Sequence, residues 1–561
     1  MGGLREPLVE ESSRYQVGGQ PGHRVEELVF VMKSIIAKYR SERKPVILQC
    51  FDLEKYFDKE NIEDAVLTCY KRGADAKAVR CWFKLNEDTS IRVRTAAGLS
   101  NRATVGAVVG QGTMGGALVS QEVLDEAMME HFVPGAEGEL EYGGVELAPL
   151  IFQDDLLHGS GGLEEARRAS RRVNLMVKER SLRLNKTKSV CILIGTNQQK
   201  QKISKHLKEE PLMCGDVEIK ETKVDKWLGQ CLSSGGLADS VMETIKAKEG
   251  KVRGACLEVA SIVEDWRAKA VGGIEAAFIL WESCCIPTLL SGSGNWLNIT
   301  GAAEQKLEAL QHWFVRLVLR VGPGCPAPSL RWETGLLSMR MRIWVEKLML
   351  VRHVRGLDIS TIARRVYEEQ KLQKWPGLVR EAAAICEMLG LEDANEVDMT
   401  RWNTKQYRNI IIEACKLKDE KELREAAAGL KKCERIMEDH YGKKEYMSTK
   451  NLSEVRSTFY TRVQMHPFGG NFSHDKRFQK TNWLCACGEA REEVAHLVGG
   501  ECPVYGDIRE EFPDTLGDDI LTDFFTLVLE RRKEREEEET GAMAAGRGAA
   551  DCASPPGQAS A

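Results

Sequence analysis

The run Leu150-Ile151-Phe152-Gln153-Asp154-Asp155-Leu156-Leu157 constrains this chain more than any other, because apolar arms flank a polar centre that ends in two adjacent acids. That pattern predicts a β-hairpin carrying Asp154 and Asp155 at its turn. A second apolar, β-prone stretch, Val46 to Phe51, ends in Asp52 just before a helical pattern that begins around Asp58 to Glu60. If both stretches lie side by side in one sheet, three carboxylates from distant parts of the sequence meet at one edge. An Asp-Asp pair at a hairpin tip is also ordinary turn chemistry, since aspartate tolerates turn conformations and caps backbone groups.

Hard oxygen ligands concentrated in this way suit Mg²⁺, which takes carboxylates and substrate phosphates and keeps several waters. Two such ions roughly 3.5 to 4 Å apart activate an attacking hydroxyl and stabilise the leaving oxygen of an in-line displacement at phosphorus. The acids therefore predict nucleotide-polymerase chemistry.

The order of the surrounding motifs strengthens that reading. Phe51-Asp52-Leu53-Glu54-Lys55-Tyr56-Phe57-Asp58 resembles motif A of reverse transcriptases, and Val109-Gly110-Gln111-Gly112 followed by a small-residue helix resembles motif B. Phe152-Gln153-Asp154-Asp155 resembles motif C, Leu184 to Ser189 motif D, and Lys226-Trp227-Leu228-Gly229 the primer grip, motif E. The order is that of the reverse transcriptases of non-LTR retrotransposons, the long interspersed elements, and the similarity runs over roughly residues 15 to 235.

The resemblance implies roles residue by residue. Asp52 and Asp154 match the principal ligands of two Mg²⁺ ions and Asp155 the second acid of the pair. Phe57 matches the aromatic that excludes a 2′-hydroxyl, and Gln111 and Gly112 match residues that approach template and incoming nucleotide. Lys188 matches a lysine near the leaving pyrophosphate, where a mobile ammonium offsets developing charge; a surface lysine in a turn explains it almost as well. Motif B departs from the family, because Met114, Gly115 and Gly116 stand where a Pro and a Ser usually follow Gln-Gly-Cys. Glycines inside a helix cost roughly 1 kcal/mol each, so the helix is expected to start after them. Its Ala117, Leu118, Val123, Leu124, Ala127 and Met128 recur at the spacing of one buried face. Gln16 to Arg24 resembles the turn that leads towards motif A and by itself reads as a Gly/Pro loop.

Far downstream, Cys485, Cys487, His496 and Cys502 offer three thiolates and an imidazole, the ligand set of a closed structural Zn²⁺ site. Such a cluster folds a segment too small for its own core. The order Cys-Cys-His-Cys, followed by Pro503 and Tyr505, resembles the zinc knuckle of the same family, although the spacing is irregular. Trp483 beside it could stack on a base or pack as a core indole.

The remaining sequence sets bounds. The 17 cysteines, an odd count without regular spacing, argue for a reducing compartment. No run of eighteen apolar residues appears, so no membrane partner is expected. The net charge of −5 sits badly with a nucleic-acid channel. Basic residues do cluster locally, however: Arg167, Arg168, Arg171, Arg172, Lys178, Arg180 and Arg183 form either a solvated helix face or a channel that tracks a phosphate backbone.

These observations predict an α/β right-hand polymerase palm, an antiparallel sheet with flanking helices, followed by a helical thumb, a helical extension and a small zinc knuckle. The expected divisions are 1–45 for a residual fingers and palm-entry segment, 46–215 for the palm, 216–300 for primer grip and thumb, and 301–475 for the extension. The knuckle spans 480–510 and a disordered tail 530–561. Fingers are largely built from sequence upstream of the Gln16 to Arg24 turn in the family, and about fifteen residues stand there in this chain, so an N-terminally truncated frame is expected. The implied reaction is RNA-directed DNA synthesis, with dNTPs added to a DNA primer on an RNA template. Location in the nucleus and cytoplasm follows by resemblance. Two rivals remain at this level: a catalytically inactive relic that only binds nucleic acid, and an RNA-dependent RNA polymerase, against which Phe57 argues.

Overall fold

The computed structural model describes residues 16–550 except 19, 21, 55, 57–59, 88–89, 105–115, 133–139, 148, 266–270, 431–432, 434–435, 467, 469–483, 499–501 and 513–516. Phe57, Gln111, Gly112 and Trp483 lie outside the described residues. The fold is mixed α/β, rich in helix with one principal sheet.

The chain divides into two compact units, each assembled from separate stretches. The first comprises residues 1–250, 289–305 and 340–415, and the second 251–288, 306–339 and 416–561. Residues 340–415, expected to belong to an extension starting at 301, cluster instead with the first unit. Long-range bonds explain this: His353 Nε2 meets Glu27 at 2.7 Å, and Gln370 donates to Ser34 and to Tyr142.

In the first unit, helix α1 (Val25–Ser41) leads into strand β1 (Val46–Asp52). Helices α2 (Ile62–Lys71) and α3 (Gly116–His131) follow, and then the hairpin strands β2 (Leu150–Phe152) and β3 (Asp155–Ser160). Helix α4 (Leu163–Glu179) and strands β4 (Val190–Ile194) and β5 (Lys220–Thr222) complete the sheet, whose order is β5-β4-β1-β3-β2. Every pairing is antiparallel except β4 with β5. The central strand β1 is buried along Val46 to Phe51, which is why its sequence reads as a continuous apolar run.

One polar residue interrupts that run. Gln49 is fully buried and donates through Nε2 to Ala166 O (3.1 Å) and Ser170 Oγ (2.7 Å), tying α4 to the sheet. On the same helix Ala166, Ala169, Val173, Met176 and Val177 face inward. The outward arginines are largely engaged by acids: Arg167 by Glu164 and Glu210, Arg168 by Glu165, and, just past the helix, Arg180 by Glu126 and Glu130. Acids thus compensate Arg167, Arg168 and Arg180, while Arg171, Lys178 and Arg183 are exposed.

Helix α3 begins at Gly116, after the preceding glycine-rich stretch. Val119, Val123, Leu124, Ala127 and Met128 are buried, and so are Glu122 and Asp125, which share Arg72 Nη1 at 2.5 and 3.0 Å. A paired acid keeps a helix face buried where an unpaired one would be too costly to dehydrate.

The second unit is helical. Trp281 stacks on Phe314 with centroids 4.6 Å apart, and Arg462 clamps Glu333 in bidentate fashion (2.7 and 3.0 Å) while also reaching Asp439 and Asp518. One helical stretch among the described residues, Gly273–Asn295, is long and apolar enough by composition to cross a membrane. Its Ile274, Ala277, Phe278, Trp281 and Cys285 are buried at helical spacing, the stripe of a core helix. The tail differs from expectation, because the final helix runs Asp518–Ala550 through a segment expected to lack order from 530. Its Arg, Lys and Glu residues are strong helix formers, with pairs such as Lys533 and Glu537 four residues apart.

Candidate active site and metal centre

Phe152 pairs with Asp155 across the β2–β3 turn, so Gln153 and Asp154 form its two-residue loop. Gln153 adopts a left-handed backbone (φ 57°), the conformation such tight hairpins demand. On the other side of β3, Asp52 stands directly opposite Asp155 in the register with β1. Directly opposed residues share a face of the sheet. Two acids separated by about a hundred residues of sequence thereby become neighbours, with Asp154 at the adjoining turn.

The carboxylates feel one another. Burial raises the Asp154 carboxyl above its ordinary range, and the charge of Asp52 adds to the rise. Asp155 is pushed up to about 6 by burial and by the charges of Asp154, Asp52 and Asp225. Like charges held together without a counter-ion raise each other's proton affinity. Lys188 places a cation beside them, its Nζ 3.6 Å from Asp52 Oδ1.

Among the described residues, the three aspartates are not one of the donor groups whose ligand atoms all lie within 4.8 Å of one another. Carboxylates that raise one another's proton affinity are the donor type that Mg²⁺ takes.

Lys188 lies in the turn between α4 and β4, which Asn185 organises by accepting from the backbone N–H groups of Thr187 (3.0 Å) and Lys188 (3.3 Å). Asn185 N in turn donates to Asp52 O at 2.8 Å, so the lysine turn is pinned to the end of β1. The predicted primer-grip residues fall on a hairpin of β6 (Val224–Trp227) and β7 (Gln230–Ser233), joined by Leu228 and Gly229, both left-handed.

Two contributors escaped the sequence analysis. Asp225, on β6, is hydrogen-bonded by the Cys50 thiol, and burial raises its carboxyl, with Asp52 adding to the rise. Cys50 and Asp52 alternate onto one face of β1, so Asp225 approaches the same face. Nothing in Lys223-Val224-Asp225 marks this, because only the fold brings that acid near the others. The second contributor is the loop at Gln16 to Gly22. Fully buried Gln16 accepts through Oε1 from Gly18 N (2.9 Å) and Gln153 N (3.2 Å), bracing the acid-bearing turn from behind. A Cβ on Gly18 would stand 2.7 Å from Gln153 N, so only glycine fits there.

In the second unit, the ligand atoms of Cys485, Cys487, His496 and Cys502 all lie within 4.8 Å of one another. The Cys485 and Cys502 sulfurs are 3.3 Å apart, and Cys487 Sγ is 3.2 Å from His496 Nε2. Cys485 and Cys487 sit on a tight turn closed by Gly488 N to Cys485 O (2.8 Å), with Gly488 left-handed. His496 comes from the short helix Val494–Val498, and Cys502 precedes a 3₁₀ turn at Pro503–Tyr505. Backbone donation from the Glu489 amide, together with His496, lowers the Cys487 thiol to about 7. Convergent thiols and an imidazole fit a tetrahedral Zn²⁺ site. The segment also shares an apolar core: Cys485, Leu497 and Cys502 pack with Phe524, Phe525 and Val528 of the final helix.

No protein-family model matches the chain, and no curated protein matches it. Among solved structures, telomerase from Candida albicans in complex with a fragment of telomeric RNA is similar over 65% of this chain, at 11% identity and a TM-score of 0.29. Apo telomerase from Candida tropicalis is similar over 78%, at 9% identity and a TM-score of 0.33. The chain covers 57% and 59% of those two proteins, less than two thirds of either. Similarity this low carries no inference about chemistry.

Proposed function

We propose that this chain is an RNA-directed DNA polymerase of the non-LTR retrotransposon type, working with Mg²⁺ on an RNA template and a DNA primer. The single observation that carries the reading is the register that sets Asp52 opposite Asp155 beside the Asp154 turn, with Lys188 bonded in from the next loop. In this reading the five-stranded sheet is the palm, and the β6–β7 hairpin supports the primer.

Asp52 and Asp154 would hold the ions, with Asp155 completing the negative patch. The ions, when bound, supply an acidified 3′-hydroxyl and charge stabilisation at the leaving pyrophosphate. Lys188, now paired with Asp52, would turn its ammonium to the departing phosphate oxygens. Gln16 and Gly18 hold the turn in place, since a displacement of about 1 Å at a reacting centre costs on the order of a hundredfold in rate. Cys485, Cys487, His496 and Cys502 are proposed to bind structural Zn²⁺, and nuclear and cytoplasmic location belongs to the same proposal.

Primer extension on an RNA template with Mg²⁺ and dNTPs tests the reading. The unmutated chain should extend, and Asp154→Ala should lose on the order of a thousandfold, the scale of removing a group that stabilises transition-state charge. Equal extension by both refutes the site assignment. RNA binding by both with extension by neither selects the inactive binder, and ribonucleotide use equal to dNTP use selects an RNA polymerase.

A further inference from the structure

A cavity of about 390 Å³ in the first unit lies away from the acids and is lined by Arg24, Arg352, His353, Arg355 and Arg364 together with Gly22. Its volume is within the range of specific ligand sites, roughly 300–1,000 Å³. None of its described lining residues is acidic. We propose that this cavity is a binding site for the phosphodiester backbone of single-stranded RNA.

Four guanidiniums converge there from three separate stretches of chain. Two are held by backbone carbonyls: Arg352 Nη2 donates to Trp402 O (2.6 Å), and Arg355 Nη1 to Ala394 O and Val397 O (2.5 and 3.0 Å), although the Arg355 charge also acts on Asp398. Arg364 is paired to Glu368 at 2.6 Å. Of the nearby acids, Glu27 is shared by His23 and His353, each at 2.7 Å, and Asp398 bonds Thr400; neither they nor Glu368 line the cavity. Hydrogen bonds from the two histidines outweigh the burial of Glu27 and lower its carboxyl, and the contact with Glu27 raises His23.

The guanidinium planes are held in orientation. Arg352 lies 5.2 Å from the Tyr407 ring centroid, and Arg364 5.9 Å from that of Tyr367. A fixed planar fork matches two phosphate oxygens at once, which a mobile ammonium does not. The backbone adds to the field. The N-termini of α1 and of the helix Ile362–Gln373 both start at lining or adjacent residues, against one C-terminus, at Arg355. Met349 and Leu357 supply apolar wall between the cations, the mixture that a sugar-phosphate strand meets in single-strand grooves.

The inference rests on the reading that the chain handles nucleic acid, but it does not need polymerisation. The test is binding of a labelled oligouridylate to the full chain without divalent ions or dNTPs, across a range of NaCl concentrations. Arg24→Gln, at the exposed rim, and Arg352→Gln should each flatten the slope of log affinity against log salt by roughly 0.7, and Arg24→Lys and Arg352→Lys should keep it. Asp154→Ala should bind like the unmutated chain, which separates failure at this cavity from failure of the catalytic assignment. Unchanged slopes in Arg24→Gln and Arg352→Gln, with melting as in the unmutated chain, overturn the proposal. If Arg352→Gln fails to fold, Arg24→Gln decides alone. Weaker calorimetric binding of inorganic phosphate with an unchanged RNA slope also overturns it, assigning the cavity to a free anion.

Discussion

Replacing Lys33 with methionine asks how much stability the first unit forgoes to bury a cation. Lys33 sits in α1 at 2% exposure, and its ammonium has no hydrogen-bond partner among the described residues. Burial lowers it from 10.5 to about 7, and the charges of Lys347 and Lys248 add to the drop. At about 1.36 kcal/mol per pH unit, that interval corresponds to an upper bound of about 5 kcal/mol. Between pH 7 and 10.5 the unfolded chain holds a proton that the folded chain has released, so stability rises with pH across this window. Below about pH 7 the whole penalty is present. Methionine keeps the length and the apolar stem without the charge, so Lys33→Met should be more stable by about 3–5 kcal/mol at neutral pH. That is a rise of roughly 5–10 °C in melting temperature, and the gap should close as the pH approaches 10.5. Thermal melting of both proteins across this pH range is the assay. A variant whose melting temperature runs parallel to that of the unmutated chain at every pH, or falls below it at neutral pH, refutes the argument.

Gly18→Ala drives a Cβ against Gln153 N, so it should lower the extension rate on the order of a hundredfold with little change in RNA affinity; a normal rate would show that the turn needs no brace. At Mg²⁺ well below saturation, extension should rise as the pH is raised through about 6, because a protonated Asp155 adds no charge to the patch that attracts the ions. In Asp155→Asn that step should vanish from the pH–rate profile, and its persistence would assign the titration elsewhere. The same raised carboxyl makes the metal-free protein lose stability as pH rises from 3.8 to about 6, where the folded form alone holds the proton. Removing Zn²⁺ with a chelator, or Cys502→Ser, should expose amides of residues 484–498 to hydrogen exchange while the first unit melts unchanged. Protection that survives both treatments would mean that the apolar contacts of Phe524, Phe525 and Val528 suffice.

Local chemistry in the sequence carried the acid-bearing hairpin, the buried strand at Val190–Ile194 and the Cys-Cys-His-Cys constellation, and it missed the start of α3 by one residue, since the helix takes in Gly116. Each depends on neighbours a few residues away or on ligand types that stand out in any context. The tertiary fold decided the rest. The register that sets Asp52 opposite Asp155, the approach of Asp225 through Cys50, and the brace from Gln16 join residues far apart in the chain. The grouping of residues 340–415 with the first unit, and of four arginines around one cavity, likewise arises from helices whose sequence shows an apolar face but not its partner. Periodicity declares which side of an element is buried; it holds no record of what covers it, because that depends on the summed packing of segments hundreds of residues distant.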